Sequence, residues 1–374
     1  MKKIRVLHIH GGMNMGGTES VIMNLYRSID RDKFDFDFTT TFEKDCAYDD
    51  EIRRNGGRII YIKPTRKVGY FNHCKEIYRA IKENGPYDVV HSHMNFHGGI
   101  VAVISKIAGV KKVVCHAHNT QDDGDGIKRK IQIKILKFLI HCFADELIAC
   151  GIEAGEFVFG RKTKFTLLNN SVDLNKFKPY INEEKIIIDK LKKEYKLEGK
   201  LILGHIGRFS KQKNHKFIVG IIEELVKKDI DFKFVLIGEG ELKDQFLYDI
   251  KQKKLEDYIL FLGLRNDTEL WMNIMDELVF PSLYEGLPVT LVEAQATGLP
   301  CIISNKVTTN VDLGMDLITF LELKENFEEW AEVIKSKHNF KLYDKEIIEN
   351  SMSKYGYSLM DNTAKMMEIY SKKI

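Results

Sequence analysis

What this chain lacks narrows it before any motif is read. Its six cysteines, Cys46, Cys74, Cys115, Cys142, Cys150 and Cys301, are scattered, with no C-x-x-C pair and no metal-ligand spacing. That argues against a disulfide framework and for a reducing compartment, with Cys115 and Cys301 serving as small hydrophobes in apolar runs. No apolar stretch approaches the ~20 residues that span a bilayer. The N-terminal run from Met1 to His10 is interrupted by charge too soon for a signal-peptide core. Nor is there an excess of one charge: 57 Lys and Arg stand against 54 Asp and Glu, a net of +3. That balance argues against a general nucleic-acid binder. No solenoid-period repeat or low-complexity tract is present. The expectation is a soluble, cytoplasmic protein without nucleic-acid partners.

What is present is alternation. The 374 residues suffice for two domains. Short β-branched runs at Ile4–His10, Phe34–Phe38, Arg58–Ile62, Asp88–His93, Lys112–His116 and Glu146–Ala149 read as strands. Amphipathic helical segments separate most of them, as with Val21, Ile22, Leu25, Tyr26 and Ile29. The polar, turn-rich stretch Asn169–Pro179 reads as a linker. The pattern then restarts with strands expected at Lys200–Ile206, Phe232–Ile237, Ile259–Phe261, Glu277–Phe280 and Pro300–Ile303. Such alternation implies two parallel sheets, each covered on both faces by helices. In sheets of this kind ligands sit beyond the carboxyl ends of the strands.

The most informative stretch follows the run Glu277–Pro281. It reads Glu285-Gly-Leu-Pro-Val-Thr-Leu-Val-Glu293, two glutamates flanking a turn and the start of a helix. Pro288 costs nothing at a helix start, and the N–H groups there favour an anion. Two carboxylates beside a phosphate seat suit a nucleotide sugar, whose hydroxyls they can accept. Three further segments fall at expected strand ends. Gly16-Gly17-Thr18-Glu19 opens the first helix, with Thr18 and Glu19 as capping candidates. It lacks the G-x-G-x-x-G spacing of a dinucleotide fingerprint, so NAD binding is not expected. Gly207-Arg208-Phe-Ser-Lys211-Gln-Lys213-Asn214 brings basic side chains suited to a diphosphate. His116 and His118 share one face of a strand end, and no cysteine or carboxylate arrangement completes a zinc site with them.

Together these segments resemble the GT-B glycosyltransferases, in particular the large retaining family 4, over nearly the whole chain. The wider string Ser282–Ala294 is similar to members that build bacterial exopolysaccharide and capsule. The resemblance implies two Rossmann-like, doubly wound domains facing a cleft. Residues 1–172 would bind the acceptor and residues 173–354 the nucleotide sugar, with 355–374 crossing back as a helix from Tyr355 to Ser371. It implies that Glu285 holds the donor sugar beside Gly286 and Leu287, and that Glu293 binds ribose. Arg208 and Lys213 would neutralise the departing diphosphate, with Lys211 a bystander. His118 would touch the donor sugar, the register of Val113 and Val114 favouring it over His116. Gly16 and Gly17 would approach the donor diphosphate. Gly17, Thr18, Glu19, His93 and His116 would face the acceptor, with His91 and His97 as further candidates. Gly238 would turn the chain at the floor of the site, and Gly263 with Leu264 would dock the base.

The activity so implied is retaining transfer of a hexose-type sugar from a nucleotide diphosphate donor, uridine by family, to a glycan acceptor. That acceptor would be polyprenyl-linked, as in exopolysaccharide or capsule synthesis. No cofactor is expected. The GT-A enzymes hold a metal with Asp-x-Asp, and the matches here, Asp30/Asp32, Asp35/Asp37 and Asp123/Asp125, read as a turn, the polar face of a strand and an acidic loop. A nucleotide-sugar 2-epimerase and a non-catalytic scaffold are the rival readings. Residues 127–143 pose a separate choice. Lys130, Lys134, Lys137 and His141 fall along one helical face, and Ile131, Ile135, Phe138, Leu139 and Cys142 along another. The helix either rests on an anionic membrane at the inner face of the cell membrane or packs on the core with a solvated basic face.

Overall fold

The computed structural model describes residues 2–14, 16–120, 126–285, 287–324, 327–337 and 340–372. The chain divides into two compact units, Met1–Ser171 with Leu359–Ile374, and Val172–Ser358.

The first unit carries strands β1 (Ile4–Ile9), β2 (Phe34–Thr40), β3 (Arg58–Tyr61), β4 (Val89–Ser92), β5 (Lys112–Ala117), β6 (Glu146–Ala149) and β7 (Thr166–Leu167). All pair in parallel, in the order β3-β2-β1-β4-β5-β6-β7. The central strands β4 and β5 are buried throughout, as a sheet covered on both faces requires. The second unit carries β8 (Leu201–Ile206), β9 (Phe232–Ile237), β10 (Ile259–Gly263), β11 (Glu277–Phe280), β12 (Cys301–Ser304) and β13 (Ile318–Leu321). Its order, β10-β9-β8-β11-β12-β13, repeats the plan of the first sheet. In each sheet the winding reverses once, between β1 and β4 and between β8 and β11. Loops leaving the two strands at such a reversal diverge and leave room for a ligand.

Two edge strands, β7 and β13, were not among those expected from the sequence. The last helix also differs from expectation. Residue 355 closes a separate helix, Lys345–Lys354, and Gly356 follows with φ 76°, a left-handed turn that ends it. The final helix is Leu359–Ser371 and belongs to the first unit. Its Met366, Ile369 and Tyr370 join Val6, Phe34 and Phe36 in one core. The buried Lys112 ammonium donates to the carbonyls of Ile369 and Lys372 at its C-terminal end. In the second unit Val172 N–H donates to Tyr357 O at 2.9 Å, so the segments entering and leaving that unit lie side by side.

Candidate functional site

At the reversal of the second sheet, the loops after β8 and β11 are tied together. Leu283 N–H donates to Gln212 O (2.8 Å), Gln212 Nε2 to Tyr284 O (3.0 Å) and Asn214 Nδ2 to Pro281 O (3.1 Å). Asn214 adopts φ 55°, ψ 45°, a left-handed conformation that Asn tolerates better than most residues. The result is an ion pair: Lys213 Nζ stands 2.7 Å from Glu285 Oε1, the two side chains only 15% and 9% exposed. The ammonium also lies 4.4 Å from the centre of the Phe280 ring. Two residues singled out separately in the sequence thus form one unit.

Arg208 does not join them. Its side chain is 72% exposed and pairs with Glu241 at 3.1 Å. The glycines after β9 have a steric cause. A Cβ on Gly238 would meet Gly207 O at 2.0 Å, and one on Gly240 would meet Phe209 O at 2.4 Å. The loop after β9 therefore lies directly against the loop that carries Arg208, with Phe209 N–H donating to Glu239 O at 3.0 Å. Gly263 ends β10 with φ 64°, and Leu264 beside it is exposed. Leu287 packs against the core of this unit. Gly286 lies outside the described residues.

Glu293 sits in the second turn of the helix Val289–Ala296, whose N-cap is Pro288. Burial pushes its carboxyl up to about 7, with Lys176 opposing the shift and Glu269 adding to it. The two glutamates of the motif are therefore unlike. Glu285 is neutralised by a cation, whereas Glu293 is poised to change charge near neutral pH.

The reversal of the first sheet has a different chemistry. Three His-x-His pairs, His8/His10, His91/His93 and His116/His118, end the adjacent strands β1, β4 and β5, and the parallel register sets His8 opposite His91. His8 Nδ1 lies 3.0 Å from His93 Nε2, and His93 Nδ1 lies 2.9 Å from His118 Nε2. His91 Nδ1 is 2.6 Å from the hydroxyl of Tyr370 on the last helix. Burial holds all five rings below the usual imidazole range, His8 and His116 at about 3. They are neutral at pH 7. Of the histidines expected near the acceptor, His91, His93 and His116 are buried, whereas His118, expected at the donor sugar, is partly open. His97 stacks on Tyr70 instead, 6.1 Å between ring centres.

The loop after β1 corrects another expectation. Gly16 is the N-cap of the helix Gly17–Ser28 and makes no side-chain cap bond. Thr18 and Glu19 lie inside the first turn. Glu19 turns instead to His10 Nε2, 3.2 Å away. Burial alone would raise its carboxyl, but the His10 hydrogen bond and its own N–H hold it below the usual range. A Cβ on Gly16 would meet Glu19 Oε2 at 2.4 Å, so a larger residue there would have to displace the Glu19 carboxylate.

Of the Asp-x-Asp matches, Asp30 pairs with Lys33 in a turn. Asp37 is not on a solvated face: it is buried and bound by Arg58 (2.6 Å), Tyr87 (2.8 Å) and Arg5 (3.1 Å). Those donors offset the cost of its burial. Asp123 and Asp125 lie outside the described residues.

Comparison with known proteins shows the family and the fold. The family model of the glycosyl transferases group 1 matches residues 187–357, and that of glycosyltransferase family 4 matches residues 15–176. EpsF of Bacillus subtilis (strain 168), which carries a provisional glycosyltransferase name, is 39% identical over 372 residues, 98% of this chain and 96% of that protein. An Escherichia coli UDP-Gal:alpha-D-GlcNAc-diphosphoundecaprenol alpha-1,3-galactosyltransferase is 28% identical over 325 residues, 81% of this chain and 80% of that one. Among solved structures, Anabaena HepE in complex with UDP aligns with a TM-score of 0.75 at 19% identity, covering 98% of this chain and 100% of that chain. The chain belongs to the GT-B glycosyltransferases, with a family 4 N-terminal region and a group 1 C-terminal region.

Proposed function

We propose that this glycosyltransferase moves a hexose-type sugar, with retention, from a UDP-sugar to a hydroxyl of a polyprenyl-diphosphate-linked glycan during exopolysaccharide or capsule synthesis. The observation that carries the reading is the Lys213–Glu285 pair at the reversal of the second sheet. An ammonium shielded from water interacts more strongly with a diphosphate than a surface lysine does. Support for uridine and for the lipid carrier comes from the UDP bound to Anabaena HepE and the name of the E. coli relative.

In this mechanism the bond between the anomeric carbon and the β-phosphate oxygen breaks as Lys213 takes up the growing negative charge. Arg208, freed from Glu241, adds a second cation. The acceptor hydroxyl attacks from the face the phosphate leaves, and its proton passes to a β-phosphate oxygen, so no side-chain base is needed. Glu285 accepts from the sugar hydroxyls and Glu293 from the ribose. His118 contacts the donor sugar, while His93 and His116 act behind it. Gly17, Thr18 and Glu19 face the acceptor. The cations do the work that a metal does in Asp-x-Asp enzymes, so transfer proceeds without one.

A contact with anionic membrane belongs to the same proposal. On the helix Ile127–Phe143 the core-facing residues are Leu136 and Ile140, whereas Ile127, Ile131, Ile135 and Phe138 are exposed. Lys128, Lys130 and Lys134 are exposed beside them. Lys137 and His141 do not share that basic face, because they bond the carbonyls of Phe157 and Phe159 at 2.6 and 2.9 Å. Tyr70, exposed, accepts from Gln132 Nε2 at 2.8 Å, and Phe71 beside it is also exposed. Exposed apolar residues bordered by lysines suit a lipid surface carrying the acceptor.

The test is to incubate the protein with UDP-hexoses and a polyprenyl-diphosphate-linked sugar, in EDTA. Formation of an axial linkage from an α-configured donor, read by NMR, is the expected result. An inverted product, or a requirement for added divalent metal, would overturn the mechanism.

A further inference from the structure

We infer that the first domain holds a site for a zinc-type divalent ion, formed by His93, His116 and His118, an ion that organises these rings and takes no part in the transfer step, which stays metal-independent as proposed above. One potential ligand nitrogen of each lies within 4.8 Å of the other two. His93 Nδ1 and His118 Nε2 already face each other at 2.9 Å and must share a proton to do so. The third ring is less well served: both nitrogens of His116 are buried and make no hydrogen bond among the described residues. A buried imidazole nitrogen left without a partner is destabilising. An ion seated among the three rings would take the lone pairs of the facing pair and give His116 the partner it lacks.

The donor chemistry fits this class of ion. Three neutral imidazoles without a carboxylate suit zinc, nickel, copper or cobalt and are poor ligands for magnesium or calcium. Tetrahedral bonds of ~2.0–2.1 Å need nitrogens about 3.3–3.4 Å apart. The facing pair has to open slightly and His116 to approach. Small rotations of the three side chains would make both movements. Proton accounting closes without loss. Each ring binds through its unprotonated nitrogen and keeps its one N–H on the other. For His93 that leaves Nε2–H to donate to His8 Nδ1, 3.0 Å away. His8 is thereby a positioning residue for the ligand, the usual partner of a metal-bound histidine. His8, His91 and His93 form a second set of suitable spacing. All three of those are buried, however, whereas His118 is partly open and gives an ion a way in. The third ligand follows β4, over twenty residues before the His116/His118 pair, so only the order of the strands brings it to them.

The experiment uses untagged, metal-stripped full-length protein, and its readout does not depend on glycosyl transfer. Cobalt(II) is titrated while the visible d–d bands are followed, and zinc is then added in competition. Wild type should bind a single equivalent of cobalt with low-symmetry bands, release it to zinc and melt at a higher temperature with zinc bound. H118Q and H116N should each bind at least about 100-fold more weakly, and H8F about 10–100-fold more weakly. Should the variants fail to fold, X-ray absorption of zinc-loaded wild type decides: three imidazole shells at about 2.0–2.1 Å support the site. No bands and no thermal shift in wild type would overturn it. So would binding that survives both ligand substitutions, or a zinc shell dominated by oxygen or sulfur.

Discussion

The two sheets share one strand plan and put opposite chemistry at the same place. Where the first reverses, six histidines from the ends of three adjacent strands gather, five of them as neutral rings, with one carboxylate, Glu19, beside the sixth, His10. Where the second reverses, an ammonium and a carboxylate face each other with little access to water, and an exposed guanidinium stands nearby. The strand plan thus fixes where a ligand can sit, and the side chains at the strand ends decide what it can be. Neutral rings suit hydrogen bonds and the proposed metal ligation, whereas a shielded charged pair suits the proposed charged leaving group.

The largest effect should come from breaking the charged site. Lys213→Ala removes its cation and leaves Glu285 without a partner. We expect kcat to fall about 10²–10³-fold, the scale for losing one preorganised charge-stabilising donor, and UDP binding to weaken with it. Glu285→Gln keeps the volume but loses the charge. Transfer should fall steeply while UDP still binds, since Lys213 then has only the diphosphate to neutralise. Equal losses of UDP affinity in the two variants, measured by calorimetry, would contradict that division of labour.

Arg208→Ala should be milder, because its side chain is mostly solvated and already paired with Glu241. A drop of about tenfold in kcat/KM, corresponding to about 1.4 kcal/mol, is expected. Glu241→Gln should raise donor affinity slightly by releasing the guanidinium. Both are read from donor saturation curves.

Glu293 sharpens the contrast through pH. Its carboxyl, raised to about 7, loses charge as pH falls through that value. The ionised form is the better acceptor for ribose hydroxyls. Donor KM should therefore rise by about tenfold from roughly pH 8 to roughly pH 6, following the fraction ionised. In Glu293→Gln the profile should be flat over that range. A wild-type profile that is itself flat would remove Glu293 from ribose binding.

The smallest effect in free solution should come from the helix Ile127–Phe143. Phe138→Asp ought to leave transfer to a water-soluble acceptor within about twofold, since surface substitutions cost little. The same change should sharply reduce co-sedimentation with vesicles rich in phosphatidylglycerol. Retained sedimentation would move the membrane contact elsewhere.

Much of this was legible in the sequence because parallel strands buried on both faces are near-continuous apolar runs. Phe232–Ile237, Glu277–Phe280 and Glu146–Ala149 end where the runs end. Thr166–Leu167 is too short to give such a run, whereas Ile318–Leu321 carries one. Single residues at strand ends were legible, but their partners were not. Lys213 and Glu285 are seventy-two residues apart, and only the parallel crossover brings them to 2.7 Å. The division of the helix Ile127–Phe143 into faces was likewise beyond the sequence. Its 3.6-residue period shows that an apolar stripe exists, and only packing shows that Leu136 and Ile140 turn inward while Phe138 stays out. The histidines gave a usable signal: three His-x-His pairs, each at the end of an expected strand. Adjacency of those strands follows from the usual doubly wound order, so the cluster could have been read from that order alone.

The most direct test of the central claim is UDP-induced thermal stabilisation of wild type, Lys213→Ala and Glu285→Gln, each with and without EDTA. The account expects a clear rise for wild type and Glu285→Gln that EDTA does not change, and little or none for Lys213→Ala. A shift in Lys213→Ala equal to that of wild type would contradict it, because the diphosphate would then be held somewhere other than at this pair.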